Sequence, residues 1–396
     1  MHSPVIASAE NSILRQSELL IEVRRYLHRH PELSTKEYET TQFLASELEK
    51  SSIPFQLGPD SRGIIVDIGN SNATDRLAIR ADIDAIPVQD GKKVDYRSTV
   101  ENVTHACGHD AHASILLGTV RSIHELLKEQ STERAVRAIF QPEEEIASGA
   151  SSMIKFGVLD GVTQIIAGHV DPNRDVGKIG IRSGVITAHC IELGVAIHGQ
   201  GGHAARPHET IDPIEIATRF ITEVYNAVPR YQPDENQVVV SFTTVNGGDS
   251  TNVIPDSVRL AGTMRSLESG ARENAIDSIK QIANQIESDT DARIEIEFGL
   301  TVPSVLCDES FTETVGNIGR QVLGADNVQP ILKPSMGGED FAFYSQKVPA
   351  AFVRLGSRGP SLGGLPLHNS GFDIDEGVLY IGVNRFTHVA LNFLCC

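Results

Sequence analysis

The sequence predicts an α/β fold in two domains: a larger α/β domain on a central mixed sheet, and a smaller α+β domain inserted within it. Three observations carry this. Helical and strand-like segments alternate through the first 180 residues. Residues 188–298 then read strand, helix, strand, strand, helix, strand, the order of a split β-α-β, ferredoxin-like unit. The α/β alternation resumes from 307. A chain of 396 residues is long enough for two domains. The expected boundaries are 1–183 with 299–396 for the larger domain and 184–298 for the insert.

Residues 12–50 have helical periodicity with a break at His30-Pro31-Glu32, where proline disfavours a helical residue before it. Residues 63–69 and 76–81 are β-branched, apolar runs closed by turn chemistry, hence strands. An amphipathic helix is expected over 111–129, which puts the cluster His105–His112 at a loop-to-helix entry. A strand at 134–140 leaves Gln141-Pro142-Glu143-Glu144-Glu145 at its carboxyl end, and a strand at 162–169 ends on His169. Carboxyl ends of strands are where open α/β sheets bind ligands. In the insert the elements fall at 188–198, 213–228, 237–245, 256–266, 271–288 and 292–298. Beyond it come a helix at 310–323, a turn at 334–340 and a strand at 351–356. There is no internal repeat or low-complexity segment.

The net charge is −18, from 34 Lys and Arg against 52 Asp and Glu, and no basic run stands out. That excludes nucleic acid, whose phosphates require a basic footprint, and an anionic membrane surface. No apolar run approaches ~18 residues, so no transmembrane helix is expected. The N-terminus lacks the basic flank and apolar run of a signal peptide, and a cytoplasmic location is expected. Five cysteines, at 107, 190, 307, 395 and 396, are too few and too scattered for a disulfide framework. Their odd number, with one inside a histidine cluster, favours a reducing compartment. Cys395 and Cys396 read as a metal or redox pair or, in preference, as a frayed tail with no role.

His105-Ala106-Cys107-Gly108-His109-Asp110-Ala111-His112 holds a thiol, three imidazoles and a carboxylate in eight residues. A divalent cation is the usual organiser of such a set, and no C-x-x-C makes it a zinc finger or redox pair. Four other features belong with it: Arg80–Pro87, Glu143–Glu145, His169 and Leu367-His368-Asn369. A catalytic cation needs donors from several elements and one open position. Hydrolysis also needs a carboxylate that is not a ligand, to take a proton from water. Consecutive glutamates supply both, because adjacent side chains diverge. Taken singly, the acidic run also reads as a solvated loop, and His169 and His368 as ordinary core or surface histidines. Asp82 and Asp84 read as turn caps or as carboxylates orienting ligand imidazoles. His105 and His112 read as packing or hydrogen-bonding residues rather than ligands, and Glu339 and Asp340 as helix caps or catalytic acids. A thiolate, imidazole and carboxylate set suits Zn²⁺, with Mn²⁺, Co²⁺ or Ni²⁺ admissible.

These motifs, with His28-Arg29-His30-Pro31-Glu32-Leu33, Gly201-Gly202-His203-Ala204-Ala205-Arg206-Pro207-His208, Asn252-Val253-Ile254-Pro255 and Met336-Gly337-Gly338-Glu339-Asp340-Phe341, run the length of the chain. In this the sequence resembles the amidohydrolases of the metallopeptidase M20 family. The branch is that of hippurate hydrolases, bacterial N-acyl-amino-acid amidohydrolases and plant auxin-conjugate hydrolases. The resemblance implies two divalent ions per subunit, Zn²⁺ or Mn²⁺ first, held by Cys107, His109, Glu145, His169 and His368, with the Cys107 thiolate bridging. It implies Glu144 as general base, and an insert that is a lid and a dimerisation surface, making a homodimer or higher homo-oligomer. From that insert His203 would hold the oxyanion, and Asn252 and Arg265 would contact the substrate carboxylate. The implied reaction splits an N-acyl amino acid into a carboxylic acid and a free amino acid. The alternatives are a dipeptidase or aminopeptidase of the same fold, or a non-catalytic small-molecule binder, which would lack a ligand or the base. Two departures stand out: Glu143 replaces a usual alanine, and Asn102-Val103-Thr104 replaces a glycine-containing lead into the histidine cluster.

Overall fold

The computed structural model describes residues 10, 12–128, 130–228, 238–360, 362 and 364–395. The expectations for the first nine residues, Glu129, Gln237 and Cys396 lie outside the described residues. The chain divides into two compact units, one running up to Ile186 and resuming over Val305–Leu332 and from Glu339, the other Thr187–Ser304 with Lys333–Gly338.

In the first unit the helical stretch splits around Pro31 into α1 (Ser17–Arg29) and α2 (Tyr38–Lys50). The buried face of α1 carries Leu20, Val23, Arg24, Leu27 and His28, a helical spacing that takes two polar side chains inward. Strands β1 (Gln56–Leu57), β2 (Ile64–Gly69) and β3 (Arg76–Asp82) follow, then α3 (His109–Leu127), β4 (Ala135–Gln141), α4 (Gly149–Lys155), β5 (Val162–Asp175), β6 (Ile179–Ile181) and β7 (Gly184–Val185).

The second unit holds β8 (His189–His198), β9 (Gly202–His203), α5 (Pro213–Ala227), β10 (Val238–Asn246), β11 (Val253–Ile254), β12 (Ser257–Ser266), α6 (Ser269–Thr290) and β13 (Arg293–Val302). Its antiparallel sheet runs β10-β12-β8-β13, the order of a split β-α-β unit. Burial alternates strictly along most of β12, so one face packs on α5 and α6 through Phe220, Val224, Ile279 and Ile286.

The chain then returns to the first unit with β14 (Leu306–Cys307), α7 (Glu309–Leu323), β15 (Val328–Pro330), α8 (Ala342–Ser345), β16 (Ala350–Arg358) and α9 (Gly377–Cys395). The large sheet runs β1-β2-β4-β3-β5-β16-β6-β15. It is mixed: β4, β3, β5 and β16 pair in parallel, while β1, β2 and β6 join antiparallel. Central strands buried on both faces explain the near-continuous apolar runs of β3 and β4. Among the described residues no helix is long and apolar enough to cross a membrane.

The structure corrects the expected end of β5. His169 was expected to close that strand, but the strand continues to Asp175. The reason is unequal pairing: β3 stops at the Arg80–Ala167 pair, whereas β16 accompanies β5 through Arg354–His169 to Arg358–Asp175. His169 therefore lies just beyond the point where one edge of β5 becomes free. The helices α4 and α9 carry no expectation from the sequence. In α9 the burial of Val378, Leu379, Val383, Phe386 and Val389 goes with that of Asn384, Arg385 and Thr387, so no clean polar face marks it as amphipathic.

A charged cluster is buried beneath α1. The Arg24 guanidinium meets Asp110 at 2.9 Å, Asp373 at 2.8 Å and Glu376 at 3.2 Å, with its side chain 1% exposed. His28 Nδ1 lies 2.7 Å from Asp110, and Tyr96 donates to Asp373 at 2.7 Å. Removing one partner from such a cluster strands the others without water. Arg24→Met should therefore lower unfolding free energy by about 3–5 kcal/mol in urea titration; a loss under about 1 kcal/mol would mean the cluster is solvated. Burial alone would raise the Asp373 carboxyl, but Arg24 and Tyr96 hold it below the usual range. Its contribution is complete above the unfolded value of about 3.9 and is lost as pH falls through the lower folded value. The gap between parent and variant should narrow below about pH 4.

Candidate metal centre

The loop before α3 carries Cys107 and His109 against β5. Gly108 makes this approach feasible: it takes φ +89°, and a Cβ there would lie 2.4 Å from the Val170 side chain. Cys107 Sγ then lies 3.4 Å from His169 Nε2. The turn containing His368 is tied to the same loop, because the His368 N–H donates to Ala106 O at 2.8 Å, and His368 Nε2 reaches Cys107 Sγ at 3.3 Å. Glu145 Oε1, from the loop after β4, is 3.5 Å from His368 Nε2 and 3.8 Å from His109 Nε2. The structure thus brings together all five side chains expected as ligands. They form two overlapping triples, Cys107 with His109 and His169, and Cys107 with Glu145 and His368.

Tautomers can be read from the backbone. His109 Nδ1 lies 2.9 Å from Asp84 O, and His169 Nδ1 lies 2.8 Å from Val170 O. Carbonyls only accept, so in the neutral rings Nδ1 carries the proton and Nε2 keeps its lone pair toward the centre. His109 Nε2 and Glu145 Oε1 are buried with no hydrogen-bond partner among the described residues. Buried polar atoms are otherwise nearly always paired. Two orphaned donors beside a thiol and two imidazoles are what a divalent cation would satisfy, so these residues fit such a group.

His112 is excluded by the same reasoning. Its Nδ1 is 2.6 Å from Asp82 and its Nε2 accepts the Val170 N–H at 3.0 Å, so both nitrogens are used. Neither nitrogen of buried His105 has a partner among the described residues. The two aspartates divide differently from the expectation. Asp84 bonds the ligand-side imidazole of His109, with Oδ1 at 3.2 Å, and accepts the Glu145 N–H at 3.0 Å. Asp82 uses its oxygens on His112 and Arg80 and reaches His109 only at 3.7 Å. It stands where β3 ends level with Gln141, too far from His109 for a hydrogen bond.

Glu144 Oε2 lies 3.9 Å from His109 Nε2, and its Oε1 accepts weakly from the Asp340 N–H at 3.4 Å. Burial, then the neighbouring charges of Glu339, Asp340 and Glu145, push its carboxyl well above the ordinary range. Burial likewise pushes the Cys107 thiol up to about 12 and Asp340 up to about 7. A network the sequence left open supports Glu144. Arg80 meets Asp340 at 2.7 Å and Glu339 at 3.1 Å, and Gln141 Nε2 donates to Asp340 at 2.8 Å. Glu339 also accepts the Phe341 N–H at 3.0 Å, in the turn that leads into the short α8. The sequence signals were Arg80 standing inside an apolar strand, where an unpaired charge is untenable, and the adjacent acids Glu339 and Asp340.

In the lead-in loop, Asn102 takes φ +56° and Thr104 bridges to Ile86, which stands in for the missing glycine. The remaining candidates belong to the second unit. His203 on β9 pairs with Val253 and is exposed; its Nδ1 accepts the Ala205 N–H at 3.1 Å, so the neutral ring carries its proton on Nε2. Asn252 is its neighbour, accepting the Ala204 N–H at 3.1 Å. Arg265 is separate from that pair and donates to Met336 O at 3.0 Å and Cys190 Sγ at 3.4 Å.

The family described as peptidase family M20/M25/M40 matches residues 78–392. The chain is 36% identical to an N-acetylcysteine deacetylase of Bacillus subtilis, covering 94% of this chain and 96% of that protein. It is 33% identical to thermostable carboxypeptidase 1 of Saccharolobus solfataricus, covering 98% and 99%. Among solved structures, a dinuclear metal-binding M20 peptidase of Bacillus subtilis superposes with a TM-score of 0.81 at 34% identity, covering 96% of this chain and 98% of that one.

Cys107 is common to both triples, so its sulfur is the donor whose loss should matter most. Cys107→Ser should lose divalent metal on dialysis against metal-free buffer, read by elemental analysis. Occupancy equal to the parent's would remove Cys107 from the donor set.

Proposed function

The chain belongs to peptidase family M20/M25/M40, and on that premise we propose that it is a divalent-metal-dependent amidohydrolase that splits N-acyl amino acids into a carboxylic acid and a free amino acid. One observation carries the reading: five donors converge with two orphaned atoms among them, and a sixth group, Glu144, stands beside them with its carboxyl raised. Cys107, His109, Glu145, His169 and His368 would hold two ions, with Cys107 common to both. When bound, such ions polarise a scissile carbonyl and acidify water.

The chain's own residues do the rest. Glu144 accepts the proton of the attacking water and returns it to the leaving amine. A carboxylate serves both directions of that exchange, as base toward the water and as acid toward the amine. Arg80 and Gln141 fix Asp340, whose N–H holds one Glu144 oxygen in place. His203, protonated on Nε2, offers that N–H to the developing oxyanion. Asn252 and Arg265 supply an amide and a guanidinium for the substrate carboxylate. The unit bearing these three residues would be the lid and the dimerisation surface, and the location cytoplasmic.

The deacetylase and the carboxypeptidase point to one shared demand, an amide whose amine side belongs to an amino acid with a free carboxylate. A carboxypeptidase reading is favoured by the second relative. Acetyl-, benzoyl- and long-acyl-amino acids assayed beside dipeptides and longer peptides separate the two; turnover confined to peptides would overturn the N-acyl reading. Glu144→Gln should keep its metal and lose about 10²–10⁴-fold in kcat, and near-parental turnover would remove Glu144 as base. His203→Ala should cost about 10²–10³-fold in kcat, whereas a change in KM alone would make His203 a binding group.

A further inference from the structure

Glu143, directly before the proposed base, has a backbone φ of +61°. A residue with a Cβ holds that left-handed conformation only where its surroundings impose it. Here every polar group of the residue is engaged. One carboxylate oxygen pairs with the Arg62 guanidinium, and the other accepts from the Ser148 hydroxyl at 2.6 Å. Its N–H donates to Glu37 Oε1 at 2.8 Å, and Glu37 Oε2 accepts from the same Arg62 nitrogen at 3.1 Å. Its carbonyl accepts the Gly149 N–H at 3.1 Å. Glu37, Arg62 and Glu143 are all buried, so water does not compete for these bonds.

The loop closes tightly on itself. A Cβ at Gly149 would lie 1.7 Å from Pro142 O, so the start of α4 rests directly on the residue that opens the loop. The backbone between is pinned at two points, at Glu143 by Glu37 and at Glu145 by Asp84 Oδ2. The dihedral angles at 143 set the direction in which the next two side chains leave the chain. Those are Glu144 and Glu145.

We propose that Glu143, anchored by Arg62, is a positioning residue that aims Glu144 and Glu145 into the metal centre and thereby sets cation affinity and turnover. The proposal rests on the reading of that centre given above. Without the Glu143 carboxylate the left-handed turn keeps the Glu37 bond to its N–H but loses its ties to Arg62 and Ser148; it relaxes toward a right-handed turn, and both following carboxylates turn with it. Misaimed groups of this kind lose metal affinity and rate while the substrate pocket is intact.

The test compares Glu143→Ala, Glu143→Gln and Glu143→Gly, each verified as folded by circular dichroism. The affinity for Zn²⁺ or Mn²⁺ alone is measured by competition with a chelating dye, and kcat and KM are measured separately. Glu143→Ala should weaken cation binding and lower kcat by about 10–100-fold with KM near the parent's. Glutamine keeps the shape, with its carbonyl oxygen accepting from Arg62 and its amide N–H donating to the Ser148 hydroxyl oxygen, and should restore most of both. Glycine accepts the left-handed turn without strain but lacks the ties to Arg62 and Ser148, and should restore neither. Rescue by glycine and not by glutamine would assign the effect to backbone strain and overturn the proposal. Parental affinity and kcat in Glu143→Ala would overturn it too. Ser148→Ala removes one bond from the same carboxylate and decides the matter where Glu143→Ala does not fold. It should weaken cation binding about 3- to 10-fold, and unchanged binding would count against the proposal. Cation affinity is read without substrate, so a failed N-acyl panel leaves this test standing.

Discussion

Asp84 lies fully buried just beyond β3, and three other segments of the chain meet on it. Its backbone carbonyl and Oδ1 face His109 Nδ1, while Oδ2 accepts the Glu145 N–H and the Ser34 hydroxyl. Burial alone would push its carboxyl up, but His109 and the Glu145 N–H hold it below the ordinary range. One carboxylate thus sets both the imidazole tautomer of one donor and the backbone of another. The neighbouring residues hold Asp84 itself: the Ile83 N–H donates to Gln141 O, and the Ala85 N–H donates to Glu32 O. The end of the sheet and the turn after Pro31 therefore fix the carboxylate from both sides.

Two buried arginines brace the same region from behind. Arg80 gathers Asp82, Glu339 and Asp340, and Arg24 gathers Asp110, Asp373 and Glu376. Each cluster is costly to desolvate, and apolar side chains of equal volume would often stabilise a fold as well. Their positions give the reason for their presence. Asp110 follows His109, Asp373 lies five residues past His368, and Asp340 supports Glu144. A segment with a charged residue clamped beside it has few ways to move, so the side chains of the candidate centre are held in place. The surplus of carboxylates around Glu144 has a second effect, since like charges in a dry site raise its affinity for protons.

Much of this was legible in the chain. Parallel strands buried on both faces must be apolar throughout, so β3, β4 and β5 were visible, and the polar groups at their ends stood out. The strand and helix order of the second unit was equally plain, because its sheet shows one face to the helices and alternates. Less legible was anything dependent on a partner far along the chain. β5 outruns His169 because β16 accompanies it, and that pairing joins segments nearly two hundred residues apart. α9 has polar residues among its buried ones, so its periodicity is blurred. The left-handed turn at Glu143 could not be anticipated, since glutamate is a poor residue for it and only Glu37, Arg62 and Ser148 make it tenable.

The histidine cluster shows where the division lies. By itself the sequence determined that a thiol, imidazoles and carboxylates would collect near strand ends, because that follows from residue type and local periodicity. Which imidazoles present a free lone pair was decided by tertiary structure. His109 and His112 lie three residues apart on one helix, yet His109 finds the Asp84 carbonyl and keeps Nε2 free, while His112 finds Asp82 and the Val170 N–H and keeps none. A ring nitrogen's role is set by the partner of the other nitrogen, and that partner arrives from a different strand.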